Sequence, residues 1–169
     1  MNSVIPILLL ASVIYGQFQT SNANYRGFSK IDCLGLIIYG IDDDNLFDEI
    51  EKLTRSIAAE TLPRKVKLDY FTECPLYPLS IEFHIIENKD GTVSGTIAVG
   101  VEATSESTTI EVQYPSVDEE NWYYQIGFMP VIEDQQVFSN ADNKSVILTA
   151  GLLIQKVLDQ FLLRWVENP

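Results

Sequence analysis

The order and periodicity of the apolar residues predict an α+β fold: a two-layer sandwich with a mainly antiparallel sheet of about five or six strands and two helices on one face. Two patterns with the helical period, one after residue 40 and one after residue 142, enclose a stretch in which apolar residues alternate as in strands. The sequence Asn88-Lys89-Asp90-Gly91 adds a hairpin signal, because Asp-Gly suits the tight turns that join antiparallel strands. The expected order of elements is β-α-β-β-β-β-(β)-α.

An uncharged, apolar leader begins the chain. Met1 to Tyr15 contains no charged residue, and the first charge is Arg26. The apolar part, Val4 to Tyr15, is about 12 residues long, which is shorter than the roughly 20 that a membrane-spanning helix needs. This length is typical of the apolar core of a secretory signal peptide. We therefore expect a signal peptide over residues 1–23, with a buried first strand or helix as the alternative.

Removal of the leader would leave a single α+β domain over residues 24–169. Small residues at Ser21 and Ala23 favour cleavage after Ala23, and cleavage after Gly16 is the alternative. The remaining chain is long enough to bury a core without metals or many disulfides. We expect a secreted or periplasmic protein with no integral membrane span, because no later segment combines the length and apolarity of one.

The chain is strongly acidic. Its formal net charge is −13 at pH 7, while 46% of its residues are hydrophobic. The high hydrophobic fraction favours a folded globule over a disordered chain. The negative surface would repel nucleic-acid phosphates and anionic lipid headgroups, so we expect no nucleic-acid partner. Cationic partners and simple solubility are both compatible with this charge.

Two cysteines permit one disulfide in an oxidising compartment. Closing the loop between Cys33 and Cys74 would stabilise the fold by about 4 kcal/mol in the chain-entropy model. The alternative is a pair of free, buried thiols that act as small apolar side chains. We expect the bond, because the leader directs the chain to an environment in which disulfides persist.

The first strand and the first helix follow from the next forty residues. Leu34 to Tyr39 is nearly all apolar, as in an interior strand. One of the acids Asp42, Asp43 or Asp44 can cap a helix, and Pro63 ends it. The helix would present an apolar stripe at i, i+3 and i+4 spacing, made of Leu46, Phe47, Ile50, Leu53, Ile57 and Ala58.

Alternating patterns then predict several strands, of which the first could pair in parallel with the strand before the helix. Pro130 to Asn143 lacks the alternation, and a loop of about fourteen residues is expected there. The strand patterns cover Lys65–Phe71, Ile81–Ile85, Thr92–Ala103, Thr108–Tyr114 and Trp122–Met129.

A second helix is predicted from Asp142 or Asn143 to about Val166. Its polar side would carry Lys156 and Asp159 among others, and its wide apolar face would pack on the sheet. The residues of that face are Ile147, Ala150, Gly151, Ile154, Val157, Leu158, Phe161 and Trp165.

The sequence lacks the motifs of common catalytic and metal centres. His84 is its only histidine, and no pair of cysteines or histidines has the spacing of a zinc site. Because His84 alternates with core residues in its strand, we expect it on the outer sheet face beside Glu82. The acids Asp42-Asp43-Asp44 do not fit a calcium loop, because Leu46 and Phe47 stand where oxygen ligands are needed. Phosphate-binding glycine loops and the G-x-S-x-G motif do not occur. We expect no cofactor and no catalytic residues, although 24 acidic residues leave a carboxylate pair possible in principle.

Two aromatic segments are candidates for a contact surface. Trp122 and Tyr123 follow an acidic run and would point to opposite faces of a short strand. Tyr77 lies in the stiff, apolar loop Cys74–Pro78. The alternative is that Trp122 and Tyr77 belong to the core and that Tyr123 is an ordinary exposed tyrosine.

The order of elements, with its long terminal helix, resembles that of small α+β accessory domains of bacterial envelopes, such as the amino-terminal domain of TolB-like proteins. This resemblance implies no site residue. The function we expect is a non-catalytic binding or accessory domain, monomeric or weakly self-associating, of unknown ligand. Two alternatives stay open: a small-molecule or lipid carrier with a cavity between sheet and helix, and a hydrolase that uses paired carboxylates.

Overall fold

The computed structural model describes residues 24–26, 28–104, 111–113 and 128–167, and within them it shows an α+β fold. One open, five-stranded sheet is accompanied by two helices and by a separate pair of short strands. The strands in chain order are β1 (Asn24–Arg26), β2 (Cys33–Tyr39), β3 (Lys67–Tyr70), β4 (Pro78–Glu87), β5 (Val93–Thr104), β6 (Glu111–Gln113) and β7 (Phe128–Ala141).

The large sheet is mixed. Its spatial order is β3-β2-β4-β5-β7, with β2 parallel to both β3 and β4, and β5 antiparallel to both β4 and β7. The expectation of a mainly antiparallel sheet is therefore met only in part. The predicted parallel partner of the first strand is present as β3, whereas the second parallel pairing, with β4, was not anticipated. The short strands β1 and β6 pair antiparallel with each other.

The first helix, α1 (Asp44–Thr61), begins and ends where the sequence predicts. Asp43 is its N-cap, and the Oδ1 atom of Asp43 accepts hydrogen bonds from the backbone N–H of Asn45 at 2.9 Å and of Leu46 at 3.3 Å. These bonds satisfy donors that the first turn of a helix leaves unpaired. The helix ends at Thr61 with Leu62 as its C-cap, because the next residue, Pro63, cannot continue it.

The second helix, α2 (Asn143–Glu167), follows the prediction closely. Asp142 precedes it and accepts a hydrogen bond from the backbone N–H of Ser145 at 2.8 Å. The ring of Phe161 is fully buried, with its centroid 6.0 Å from that of Phe28 in a short 3₁₀ helix. The buried residues of α2 are Val146, Ala150, Leu153, Ile154, Val157, Leu158 and Phe161.

By length and composition α2 is also the one helix among the described residues that could cross a membrane, with a mean hydropathy of 1.6 in its most apolar window. The expectation that no later segment meets these criteria is therefore wrong. In the fold, 39% of that window is buried against the rest of the protein. A core helix of a globular protein meets the same criteria, because one of its faces is apolar.

A short crossover joins β3 to β4 and passes directly over β2. The chain needs only the loop 71–77 for this parallel connection, and a Cβ atom added at Gly35 of β2 would lie 2.2 Å from the Cys74 carbonyl oxygen. Glycine is thus the residue that lets the two backbones approach so closely. The predicted disulfide between Cys33 and Cys74 is present, with their Cα atoms 5.8 Å apart, and it ties this loop to β2.

The strand β7 replaces most of the loop expected over residues 130–143, so that expectation is wrong. It is an edge strand, which explains why Pro130 is tolerated within it. Its middle is polar on both sides, because Glu133 pairs with Gly100 on one sheet face and Asp134 forms an ion pair with Lys156 of α2 on the other. Apolar alternation, the usual sign of a strand, is absent for that reason.

The two faces of the sheet differ sharply in character. The inner face carries the core, to which both helices also contribute buried side chains. The opposite face is rich in small and polar residues. The buried residues that the sheet supplies to the core are Leu34, Leu36, Leu79, Ile81, Phe83, Ile97, Val99, Val101, Ala103, Val131, Ile132 and Ala141.

Candidate functional site

Polar side chains from four neighbouring strands meet on the sheet face opposite the core. Strand register aligns them in rows, since Tyr39 pairs with Glu82 and Gly100 pairs with both Ser80 and Glu133. Residues directly opposite in neighbouring strands point to the same side of a sheet. We call this surface the acidic sheet face, and its members are Tyr39, Ser80, Glu82, His84, Glu102 and Glu133.

A hydrogen bond between Ser80 and Glu102 lies at the centre of this face. The Ser80 hydroxyl donates to the Oε1 atom of Glu102 at 2.7 Å and lies 3.4 Å from the carbonyl oxygen of Gly100. Ser80 is only 6% exposed. The side chains around it shield it from water, and the carboxylate of Glu102 accepts its hydrogen bond in place of a water molecule.

Glu102 is held in an environment that disfavours its charged form. Burial raises its pKa above the ordinary value, and the hydrogen bond from Ser80 acts in the opposite direction. The negative charges of Glu133 and Glu82 then raise the pKa further. The net effect is a raised pKa, so the ionised form of Glu102 is costly in this fold.

Tyr39 borders the same carboxylates. Burial raises the pKa of its phenol, and the charges of Glu102 and Glu82 raise it further, while a hydrogen bond with Ser80 lowers it. Because the resulting pKa is above the ordinary value, Tyr39 keeps its proton across the physiological range. Its hydroxyl is therefore available as a hydrogen-bond donor beside the carboxylates.

The remaining members lie nearer to solvent. The Nε2 atom of His84 is 3.0 Å from the Oε1 atom of Glu82, and the His84 side chain is 70% exposed. This confirms the position inferred from the alternation in its strand, on the outer face beside Glu82. Among the described residues, His84 is the one ion-pair partner within 4.0 Å of any carboxylate of the acidic sheet face.

The sheet surface between these side chains carries only small residues. Gly100 and Ala98 face outward between β4 and β7, and a Cβ atom added at Gly100 would lie 3.1 Å from the carbonyl oxygen of Ile132 and 3.6 Å from the Ser80 hydroxyl. Small residues at these two positions leave the carboxylates of Glu82, Glu102 and Glu133 accessible from one direction. The arrangement can accept several hydrogen bonds and can stabilise a positive charge.

The carboxylates of the acidic sheet face do not form a compact cluster. Within residues 28–104 and 131–167, where side chains are described, no three His, Cys, Asp or Glu side chains come close enough to hold a metal ion together. The carboxylates are spread over adjacent strands at the spacing of the sheet.

The structure places the sequence-predicted site residues in three different situations. Cys33 and Cys74 are bonded to each other, as expected. Tyr77 is 4% exposed and belongs to the core, which agrees with the alternative interpretation and not with a contact surface. Trp122 and Tyr123 lie outside the described residues.

The sequence did not single out Glu102, Glu133 or Tyr39. The outward position of Glu102 was visible in the alternation of its strand, but nothing local shows that strand β7 brings Glu133 beside it. That neighbourhood depends on the pairing of residues far apart in the chain.

Comparisons with known proteins add no family to this description. No protein-family model matches the chain, and no curated protein or solved structure matches it significantly.

Proposed function

We propose that this protein is an exported, non-catalytic binding or accessory domain and that its acidic sheet face binds a cationic partner. The proposal depends on one observation, the unfavourable environment of the Glu102 carboxylate. This carboxylate is partly buried beside Glu82 and Glu133, and the hydrogen bond from Ser80 does not offset the cost, since its pKa remains raised. Ionisable groups whose charged form is destabilised concentrate at functional positions, and a bound cation would stabilise the charged form of Glu102.

We also propose that both helices cover the inner face, which would leave the acidic sheet face free for a partner. The two helices contact each other, since the Nε2 atom of Gln155 donates to the Oγ1 atom of Thr61 at 3.0 Å. Leu53 of α1 lies against Gly151 of α2. Buried side chains of α1 and α2 share one core cluster with the inner-face residues of the sheet, which supports this arrangement.

Binding fits the geometry better than hydrolysis by paired carboxylates. Glu82, Glu102 and Glu133 project from adjacent strands of one sheet, so their side chains point in the same direction. A hydrolytic pair must instead flank the scissile bond from two sides. A surface with carboxylates on one side only is suited to a basic segment or an amine that lies across it.

Export is supported by two independent features. The uncharged apolar leader has the length of a signal peptide. The Cys33–Cys74 disulfide weakly indicates an oxidising compartment. The partner would then be found outside the cytosol, where an acidic domain meets basic proteins or polyamines.

Calorimetric titration with hexalysine tests the proposed function, and the double variant E102Q/E133Q is the informative one. We expect this variant to bind hexalysine about tenfold more weakly than the wild type, because two neighbouring carboxylates of the acidic sheet face lose their charge. Glutamine preserves the size of both side chains, and its amide oxygen can still accept the Ser80 hydrogen bond.

The matched control is E49Q/E60Q, which removes the same charge from exposed positions of α1. We expect this control to weaken binding by less than about threefold, since it changes only the overall field. Equal losses in the two double variants, or no measurable binding by the wild type, would show that the net charge of −13 serves solubility alone.

A further inference from the structure

The outward side of α2 is unusually apolar for a surface helix. Leu148, Leu152, Leu163 and Val166 are 65%, 63%, 56% and 64% exposed. Helical spacing aligns them along one side of the helix, and exposed apolar groups of this size in one stripe mark an interaction surface. A shallow depression of about 350 Å³ lies in the middle of the stripe, lined by Leu152, Gln155, Lys156, Asp159, Gln160 and Leu163.

The residues of this depression form a self-complementary set. They are symmetric about the midpoint between Val157 and Leu158: Leu152 matches Leu163, Gln155 matches Gln160 and Lys156 matches Asp159. If a second α2 lies antiparallel to the first, related by a two-fold axis that passes between the helices at the level of that midpoint, each residue lies at the same height as its match on the partner. Leucine then meets leucine near the centre of the contact, and the ammonium of Lys156 lies level with the carboxylate of Asp159 on the partner.

We propose that a second copy of this chain docks on this stripe, with the two α2 helices antiparallel and related by a two-fold axis. Charge decides between this occupant and others. The helix carries three basic and two acidic residues, a net charge of +1 in a chain of −13, so two copies repel each other less through α2 than the net charge of the chain would suggest.

The side chains at the two-fold axis are already held in place within one chain. Lys156 forms an ion pair with Asp134 of β7, and Asp159 accepts a hydrogen bond from Gln155 at 2.9 Å. A carboxylate can accept further bonds, and an ammonium has three protons to donate. Preorganised charges lose less entropy on binding, so the symmetric Lys156–Asp159 pairs contribute to register as well as to affinity.

Sedimentation velocity of the purified full-length protein over a concentration series tests this proposal. We expect a reversible shift from monomer to dimer in the wild type. The two-fold axis creates the Lys156–Asp159 pair twice in the dimer. In the variant D159K both pairs become pairs of like charges, and we expect the dimer Kd to rise about tenfold. K156E has the same effect through opposed acids. The charge-swapped double variant K156E/D159K restores the pairing and returns the Kd to within about threefold of the wild type.

Two controls on α1 match these charge changes, D48K for D159K and K52E for K156E, and both leave the dimer Kd within about twofold of the wild type. Thermal melts separate loss of folding from loss of dimerisation, which matters for K156E because Lys156 also pairs with Asp134. A wild type that stays monomeric, a double variant without recovery, or a monomer that binds phosphatidylcholine–phosphatidylglycerol vesicles through Leu152 would each overturn the proposal.

Discussion

At the scale of single residues, Glu102 is the group whose environment conflicts most clearly with its charge. Its pKa is raised by burial and by Glu133 and Glu82 against the opposing hydrogen bond from Ser80. The unfolded chain therefore releases this proton at a lower pH than the folded chain does. Between the two pKa values the unfolded state binds fewer protons, so this group makes the fold less stable as the pH rises.

The first prediction concerns the variant E102Q, which removes this titration. We expect E102Q to have a higher free energy of unfolding than the wild type at about pH 7, and a smaller or no advantage at about pH 4, where both states of the wild type are largely protonated. Urea unfolding at the two pH values measures the difference. The matched control E60Q, on an exposed part of α1, should show no such pH dependence. An advantage of E102Q that does not grow with pH would contradict the account.

A second residue-scale prediction concerns Gly35, where the crossover loop passes over β2. In G35A the new Cβ atom would lie 2.2 Å from the Cys74 carbonyl oxygen and 2.9 Å from the Phe71 Cα atom, both backbone atoms. We expect a loss of about 1–3 kcal/mol or more in the free energy of unfolding, because backbone must move to make room. Chemical denaturation measures this loss.

The matched control for G35A is G151A. A Cβ atom at Gly151 would lie 3.0 Å from the Cδ2 atom of Leu53, the end of a flexible side chain. Alanine is also favoured over glycine within a helix by about 1 kcal/mol. We therefore expect G151A to be close to neutral, and equal losses in the two variants would mean that the crossover does not approach Gly35 as closely as described.

At the scale of elements, the helices and the central strands could be predicted from the sequence, and the edge strand β7 could not. The helix α1 has a capping acid, an apolar stripe and a terminating proline, and all three signals are local. By contrast, β7 carries polar residues on both sides, since Asp134 pairs with Lys156 of α2 while Glu133 faces the opposite side. A strand whose polar side chains are paired in this way shows no alternation of apolar residues in the sequence.

The candidate site shows the same limit. The alternation in β4 predicted that His84 lies on the outer face beside Glu82, and this is confirmed. The approach of Glu133 to Glu102 depends on β7 pairing with β5, which the sequence pattern does not reveal. Site residues brought together by long-range pairing are those that sequence reasoning missed.

The third prediction tests the face that α2 turns toward the core. In F161A, a fully buried ring that lies 6.0 Å from Phe28 is lost, and we expect the free energy of unfolding to fall by about 3–5 kcal/mol. In the control L163A, the side chain removed is 56% exposed, and the loss should stay below about 1 kcal/mol. Urea unfolding of both variants at low protein concentration measures the contrast. A loss under about 1 kcal/mol in F161A would contradict the assignment of the buried face.

At the scale of the whole molecule, we propose an acidic domain that acts outside the cytosol. The fourth prediction is that the secreted protein begins at Asn24, or at Gln17 if cleavage follows Gly16, and carries the Cys33–Cys74 bond. Intact mass and non-reducing peptide mapping of material from the medium or periplasm measure both. Recovery of the chain inside cells with Met1 retained and both thiols free would contradict export.

The molecule's net charge alone does not define a binding surface, because its acidic residues are distributed over both helices and several strands. What distinguishes the acidic sheet face is that Glu102, bonded to the buried hydroxyl of Ser80, lies close enough to Glu82 and Glu133 for their charges to raise its pKa. We expect a cationic partner to bind the acidic sheet face more tightly than the exposed acids of α1. The electrostatic attraction is stronger where neighbouring side chains partly exclude water.

The most direct test of this claim is a titration of the ¹⁵N-labelled protein with hexalysine, followed residue by residue in amide NMR spectra. The account predicts saturable shifts concentrated at Ser80, Glu82, Gly100, Glu102 and Glu133, with much smaller shifts at Asp48, Glu49 and Glu60 of α1. Shifts of similar size at all acidic positions, without saturation, would contradict it.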